Sequence, residues 1–159
     1  MFVVNRAFVK ETDQDSDPLP DRTISEHPNL VTARGLALIE ARVRELEAER
    51  SIARAAKDPS ALARTARDLR YFHARRESAR LVTPPARSQQ VRFGVRALLR
   101  LEGGEERAFQ LVGEDEADPK AGLISYMSPL AKSLMGKEVG ERLPFGGQSA
   151  EIIALVSEL

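Results

Sequence analysis

Residues 30–79 read LVTARGLALIEARVRELEAERSIARAAKDPSALARTARDLRYFHARRESA, and the four letters KDPS at 57–60 decide how this stretch folds. Leu36, Ile39, Val43 and Leu46 recur at spacings of three, four and three, a heptad-type stripe that predicts a helix, and Thr32 stands where its cap is wanted. The segment carries on through Ile52, Ala53 and Ala56. Pro59 cannot continue a helix, because it has no N–H and its ring collides with the preceding turn, but it suits the first position of a new one. Asp58 then becomes the N-cap of that second helix. Leu62, Ala66, Leu69, Phe72 and Ala79 give the second helix one apolar face, and Pro84-Pro85 forbids its extension. Two long helices joined by a tight turn run antiparallel, and arms of about 22 to 26 residues make a hairpin roughly 35 Å long.

Beyond the prolines the texture changes from helix to strand. Val91 to Leu101 is rich in Val, Leu and Phe, Glu102-Gly103-Gly104-Glu105 supplies turn chemistry, and Arg107 to Val112 returns, so a β-hairpin is predicted. An acidic loop at Gly113 to Asp118 precedes a short strand at Leu123 to Tyr126. Ser128-Pro129 then opens a short helix that Gly136 can end, and Arg142 to Phe145, Gly146-Gly147 and Glu151 to Val156 form a second hairpin. The predicted class is α+β, a helical hairpin followed by a small, mostly antiparallel sheet with one short helix. The divisions are a flexible acidic tail at 1–29, the coiled coil at 30–83, a linker at 84–90 and the sheet domain at 91–159.

Composition bounds the chemistry. With 159 residues, two large catalytic domains do not fit, and with no Trp and 5% aromatics the core must be mainly aliphatic. Zero cysteines exclude disulfides, thiol catalysis and thiolate metal sites, leaving His27 and His73 as the only imidazoles. His27 in EHPNL reads as a turn residue, and His73 has no partner at ligand spacing. No apolar run approaches the ~20 residues of a membrane span, and Met1 to Lys10 lacks a secretory signal's basic start, so a cytoplasmic location is expected. The zero net charge conceals a partition, for residues 31–82 hold eleven Arg and Lys57 against seven acids. Interleaved Glu40, Glu45, Glu47 and Glu49 make that segment first of all a solvated helix face.

Three phrases then carry a resemblance: VRFGVRALLRLE at 91–102, FQLVGEDEADPKAGLIS at 109–125 and SPLAKSLMGKEVGERL at 128–143. In content, order and spacing they resemble the C-terminal domain of the Gre transcript-cleavage factors (GreA and GreB). Upstream, VTARGLALIEARVREL at 31–46 is similar to the start of that family's first helix, and DLRYFHARRESARLV at 68–82 to the end of its second. The resemblance implies an antiparallel coiled coil beside a domain similar to the FK506-binding proteins. It also implies a partner, bacterial RNA polymerase, whose secondary-channel rim the C-terminal domain would grip while the coiled coil points toward the active site. Nucleic acid would be met only within the transcription complex, and the protein is expected to be a monomer that binds no membrane. Ser128 and Pro129 fall on the family's docking loop, with Met127 where GreB-like members place Asp.

The family's cleavage chemistry does not carry over as readily. Gre-stimulated cleavage needs carboxylates at the tip that help hold a second magnesium ion in the polymerase site and orient a water. Here the tip reads AAKDPSALAR and offers Asp58 alone, beside Lys57. Glu49 and Asp68 lie nine or ten residues away, about 13 to 15 Å by helical rise, too far to share an ion with Asp58. The arms are also shorter, by roughly two turns each, than those of cleavage-competent members. The expectation is therefore a polymerase-binding regulator of elongation that is not itself an enzyme. It has no cofactor of its own, and the only metal brought near the tip is the polymerase's magnesium. Glu114, Asp115, Glu116 and Asp118 are read as a solvated surface loop. Two alternatives stand beside this reading: a prolyl isomerase on the FK506-binding-like domain, which would need an aromatic pocket from Phe93, Phe109, Tyr126 and Phe145, and a coiled-coil interaction module with the Leu36 to Leu46 stripe as its seam.

Overall fold

The computed structural model describes residues 18–157, and within them the helical hairpin stands on a five-stranded sheet domain. The hairpin's two helices are α1 (Ala33–Ala55) and α2 (Pro59–Ser78). Thr32 starts the first by accepting the Gly35 N–H on its Oγ1 at 2.9 Å, and Asp58 starts the second by accepting the Ala61 N–H at 3.0 Å, with Pro59 at the first helical position. Each side chain satisfies a donor that the helix start leaves without a partner. Between them, Lys57 N–H bonds the Arg54 carbonyl and Asp58 N–H the Ala53 carbonyl, the crossed pair of a Schellman closure. That closure demands a left-handed residue, and Lys57 supplies it at φ 52°.

Val43 and Leu46 are buried against Leu69 and the partly buried Phe72, and Ile39 is buried on the same stripe. The stripe is thus consumed inside the hairpin, which removes the seam that an intermolecular coiled coil would use. Nearer the tip the contact is made by smaller groups, Ala53 and Thr65, while Ile52 turns outward and is 70% exposed.

The hairpin's feet are joined by a parallel pair that periodicity did not announce. Leu30–Val31 (β1) runs beside Arg80–Leu81 (β2), with Leu30 opposite Arg80 and Val31 opposite Leu81.

The sheet domain comprises β3 (Val95–Leu101), β4 (Glu106–Val112), β5 (Leu123–Ser125), β6 (Arg142–Phe145) and β7 (Gln148–Ser157), in the order β5-β4-β3-β7-β6. All pairings are antiparallel except β4 with β5. Glu114–Glu116 and Pro119–Ala121 form single 3₁₀ turns between β4 and β5, and α3 (Pro129–Leu134) follows β5. Its core is aliphatic: Leu99, Leu111, Leu134 and Ile152 are wholly buried, with Val91 and Ala131 beside them. No helix among the described residues is long and apolar enough to cross a membrane.

The segment expected as a flexible tail differs from residue 18 onward. Arg22 lies 3.8 Å over the Tyr71 ring and within 3.7 Å of Asp68, and Arg70 donates to Asp21 at 2.6 Å. Net charge is blind to this arrangement, because one strap residue stacks on an aromatic while reaching an acid. The remainder of the expected tail, residues 1–17, lies outside the described residues.

Candidate functional site

Three places carry the residues singled out from the sequence. The first is the tip. Asp58 is exposed, but one oxygen of its carboxylate is engaged with the Ala61 N–H. A groove of about 440 Å³ runs down from it between the helices, lined by Glu49, Asp68, Arg42 and Arg64 together with Leu46 and Ile52. Glu49 accepts from Arg42 at 2.9 Å, and Asp68 from Arg67 at 3.1 Å. Each arm acid is thereby neutralised by a neighbouring cation. Among the described residues no cluster of three or more His, Asp or Glu is arranged to hold a metal ion. His73 is hydrogen-bonded to Arg76 on the exposed face of α2, and His27 is exposed.

The second is α3. Ser128 is its N-cap, with Oγ accepting the Ala131 N–H at 3.2 Å, and Pro129 occupies the first turn. Met127 donates its N–H to the Ser125 hydroxyl. Met127 and Ser128 are half-buried and Pro129 is exposed; Met135 and Val139, later in the same stretch, expose 41% and 55% of their surface. The Ser128 hydroxyl therefore has a structural task, and what the loop presents outward is largely apolar. The four aromatics of the sheet domain pair with one another, Phe109 with Phe145 and Phe93 with Tyr126, each pair with ring centroids under 6 Å apart. None of them lines the groove below Asp58.

The third place overturns an expectation. The acidic loop after β4 is not a solvated surface: it is the joint between the hairpin and the sheet domain. Arg75 of α2 is 1% exposed, the largest fully buried side chain in the described structure. Its Nε donates to Asp115 at 2.5 Å, and Glu114 lies 3.7 Å from its other end. Tyr71 donates its hydroxyl to the second oxygen of Asp115 at 2.6 Å. Burial, then that hydrogen bond and the carboxylate's charge, push the Tyr71 hydroxyl up to about 12. Glu116, buried, accepts from Thr32 at 2.5 Å and lies 3.6 Å from Arg34. One hydroxyl thus accepts an N–H of the first turn of α1 and donates to the opposite domain. Asp118 alone of the four acids serves only its own turn, capping the Lys120 N–H.

Close approach makes this joint. A Cβ on Gly35 would stand 2.6 Å from Glu116 Oε2, and one on Gly113 would stand 2.4 Å from the Leu30 carbonyl oxygen. Asn29 Nδ2 donates to the Arg75 carbonyl at 2.7 Å, and the Tyr126 hydroxyl donates to the Pro28 carbonyl at 2.5 Å. The signal missed in the sequence was Arg75 itself, which extends the α2 core spacing of Thr65, Leu69 and Phe72 by three more residues. An arginine on an apolar stripe needs an acid, and one loop offered four.

Comparison with known families bears on the sheet domain. Residues 86–156 match the family described as Transcription elongation factor, GreA/GreB, C-term. Over that span the sheet domain is similar to the GreA/GreB C-terminal domain. Among curated relatives, the transcription elongation factor GreA of Paracoccus denitrificans is 40% identical over 82 residues, covering 48% of this chain and 53% of the relative. That of Agrobacterium fabrum is 42% identical over 71 residues, covering 42% and 45%. The chain spans about half the length of the curated relatives it matches. Among solved structures, the GreA factor homolog 1 (Gfh1) of Thermus thermophilus aligns over 81% of this chain and 99% of its own, at 19% identity and a TM-score of 0.39. The GreA/GreB factor of Nitrosomonas europaea gives the same score over 80% and 98%. The similarity of the sheet domain to the Gre C-terminal domain rests on the sequence matches, not on these likenesses.

Proposed function

We propose that this chain binds bacterial RNA polymerase through its Gre-type domain, with the α3 loop at Met127, Ser128 and Pro129 against the rim of the secondary channel and the hairpin directed toward the active site. There it modulates elongation without stimulating transcript cleavage and is not itself an enzyme. The observation that carries the second half is the tip. A second magnesium ion needs at least two adjacent carboxylates, and this tip has one, already engaged as a cap. Reach argues the same way, since arms of 23 and 20 residues give about 30 to 35 Å. At the α3 loop the exposed Pro129 and half-buried Met127 favour docking by apolar packing, with no carboxylate offered at position 127.

The test is binding to core polymerase followed by cleavage of a backtracked transcript, wild type beside Asp58→Ala. Expected are a polymerase complex that withstands purification and a cleavage rate no higher than polymerase alone, with or without Asp58. No binding even at low salt refutes the docking half; brisk cleavage abolished by Asp58→Ala refutes the other.

A further inference from the structure

The joint has the build of a positioning device, and its residues fall outside both the tip and the docking loop. α1 meets the Gre-type domain at the acidic 3₁₀ turn Glu114–Glu116, and two of its acids couple to both helices: the partly buried Asp115 takes Arg75 and Tyr71 of α2, and the buried Glu116 takes Thr32 at the head of α1. Gly113 lets the two sides approach more closely than a Cβ would permit against the Leu30 carbonyl, and a Cβ on Gly35 would displace the Glu116 carboxylate. From the other side, Asn29 holds the Arg75 carbonyl, and Tyr126, the residue before Met127, holds Pro28. Through the Pro28–Asn29 peptide these two hydrogen bonds connect the foot of α2 to the edge of the docking loop.

A buried ion pair is a weak source of net stability but a strong source of geometric definition, because rotating either partner away leaves a charge unpaired in a dry place. Leverage magnifies what it defines. On a hairpin of about 35 Å, a tilt of about 10° at the base moves the tip by about 6 Å. We infer that Arg75 and Asp115 are positioning residues that fix the direction of the hairpin relative to the α3 docking loop, so that the factor's effect on polymerase depends on them although neither touches it. This rests on the docking reading above for its consequence, but not for its geometry.

The chain has no cysteine, so Arg50→Cys on α1 and Lys132→Cys on α3, both exposed, place two spin labels without competing thiols. The distance between them in the free, full-length protein reads the hairpin's direction. The expected result is one narrow distribution for the otherwise native chain and a distribution at least about twice as broad for Arg75→Met and Asp115→Asn. Asp58→Ala, which loosens the tip alone, stays narrow. If Arg75→Met fails to fold, Tyr71→Phe, which removes one bond to Asp115, serves in its place with a smaller broadening. Equal widths in folded variants overturn the inference. With polymerase, unlabelled Asp115→Asn is expected to bind within about twofold of wild type while its effect on elongation falls about tenfold, as misplaced groups do. An unchanged effect on elongation also overturns the inference, whereas failure of the wild type to bind overturns the docking reading and leaves the distance result standing.

Discussion

Asp115→Ala separates a joint from a surface loop by magnitude alone. The substitution leaves the Arg75 guanidinium, 1% exposed, facing a hole where its nearest anion stood, and strips the Tyr71 hydroxyl of its acceptor. Each hydrogen bond to a charged group contributes about 1.5–3 kcal/mol, and removing one partner of a buried pair costs about 3–5 kcal/mol because the other charge stays behind. Glu114, 3.7 Å from the far end of Arg75, compensates part of that charge, which points to the lower end, about 3 kcal/mol. With a urea slope of about 1.5 kcal/mol per M, the unfolding midpoint drops by about 2 M. Asp118→Ala, four positions from Glu114 in the same acidic run, removes only the cap of one 3₁₀ turn and should cost under about 1 kcal/mol. The double variant Arg75→Met with Asp115→Leu removes both charges together and should lose clearly less than the sum of the single changes. If Asp115→Ala and Asp118→Ala shift the urea midpoint equally and slightly, the acidic loop is solvated after all and the joint described here is wrong.

Three further outcomes follow from other places. Lys57→Gly relieves a left-handed backbone and should stabilise the protein by up to about 1 kcal/mol in thermal or urea unfolding; destabilisation would mean the lysine makes contacts at the tip. Leu46→Ala, at 1% exposure in the centre of the hairpin, should cost about 2–5 kcal/mol in the same assay. Tyr71 is held above its ordinary 10.0, at about 12, so the native state keeps its proton longer than the unfolded chain does. Its share of stability is complete below pH 10 and is lost as pH rises toward 12, and Tyr71→Phe should flatten the decline of stability measured across that window.

What the sequence made readable was what depends on neighbours along the chain. Thr32, Asp58-Pro59 and Ser128-Pro129 start helices because a short polar side chain and a ring with fixed φ act within three residues, and the two hairpins of the sheet announced themselves by turn glycines between apolar runs. The joint was hidden for the opposite reason. Arg75 and Asp115 are 40 residues apart, and nothing local distinguishes a carboxylate that will be buried from one that will be hydrated. The pairing of Leu30–Val31 with Arg80–Leu81 was equally silent, since two residues cannot display a period. At the site, the lone acid of the tip could be read directly, because helical rise fixes how far Glu49 and Asp68 lie from it.

That same two-residue pairing makes the hairpin's length an adjustable quantity. Chains leaving and rejoining the body at neighbouring strands, about 4.8 Å apart, leave the pedestal indifferent to how far the loop between them extends. Seven residues spliced into each arm, beyond Leu46 in α1 and on the distal side of Asp68 in α2, would keep the heptad in phase and carry the tip about 10 Å outward. The strap at Asp21 and Arg22 would be left in place, because its contacts on α2 begin at Asp68. A graded series of such insertions would turn the protein into a ruler for the channel proposed as its binding site, reporting depth in steps of one heptad.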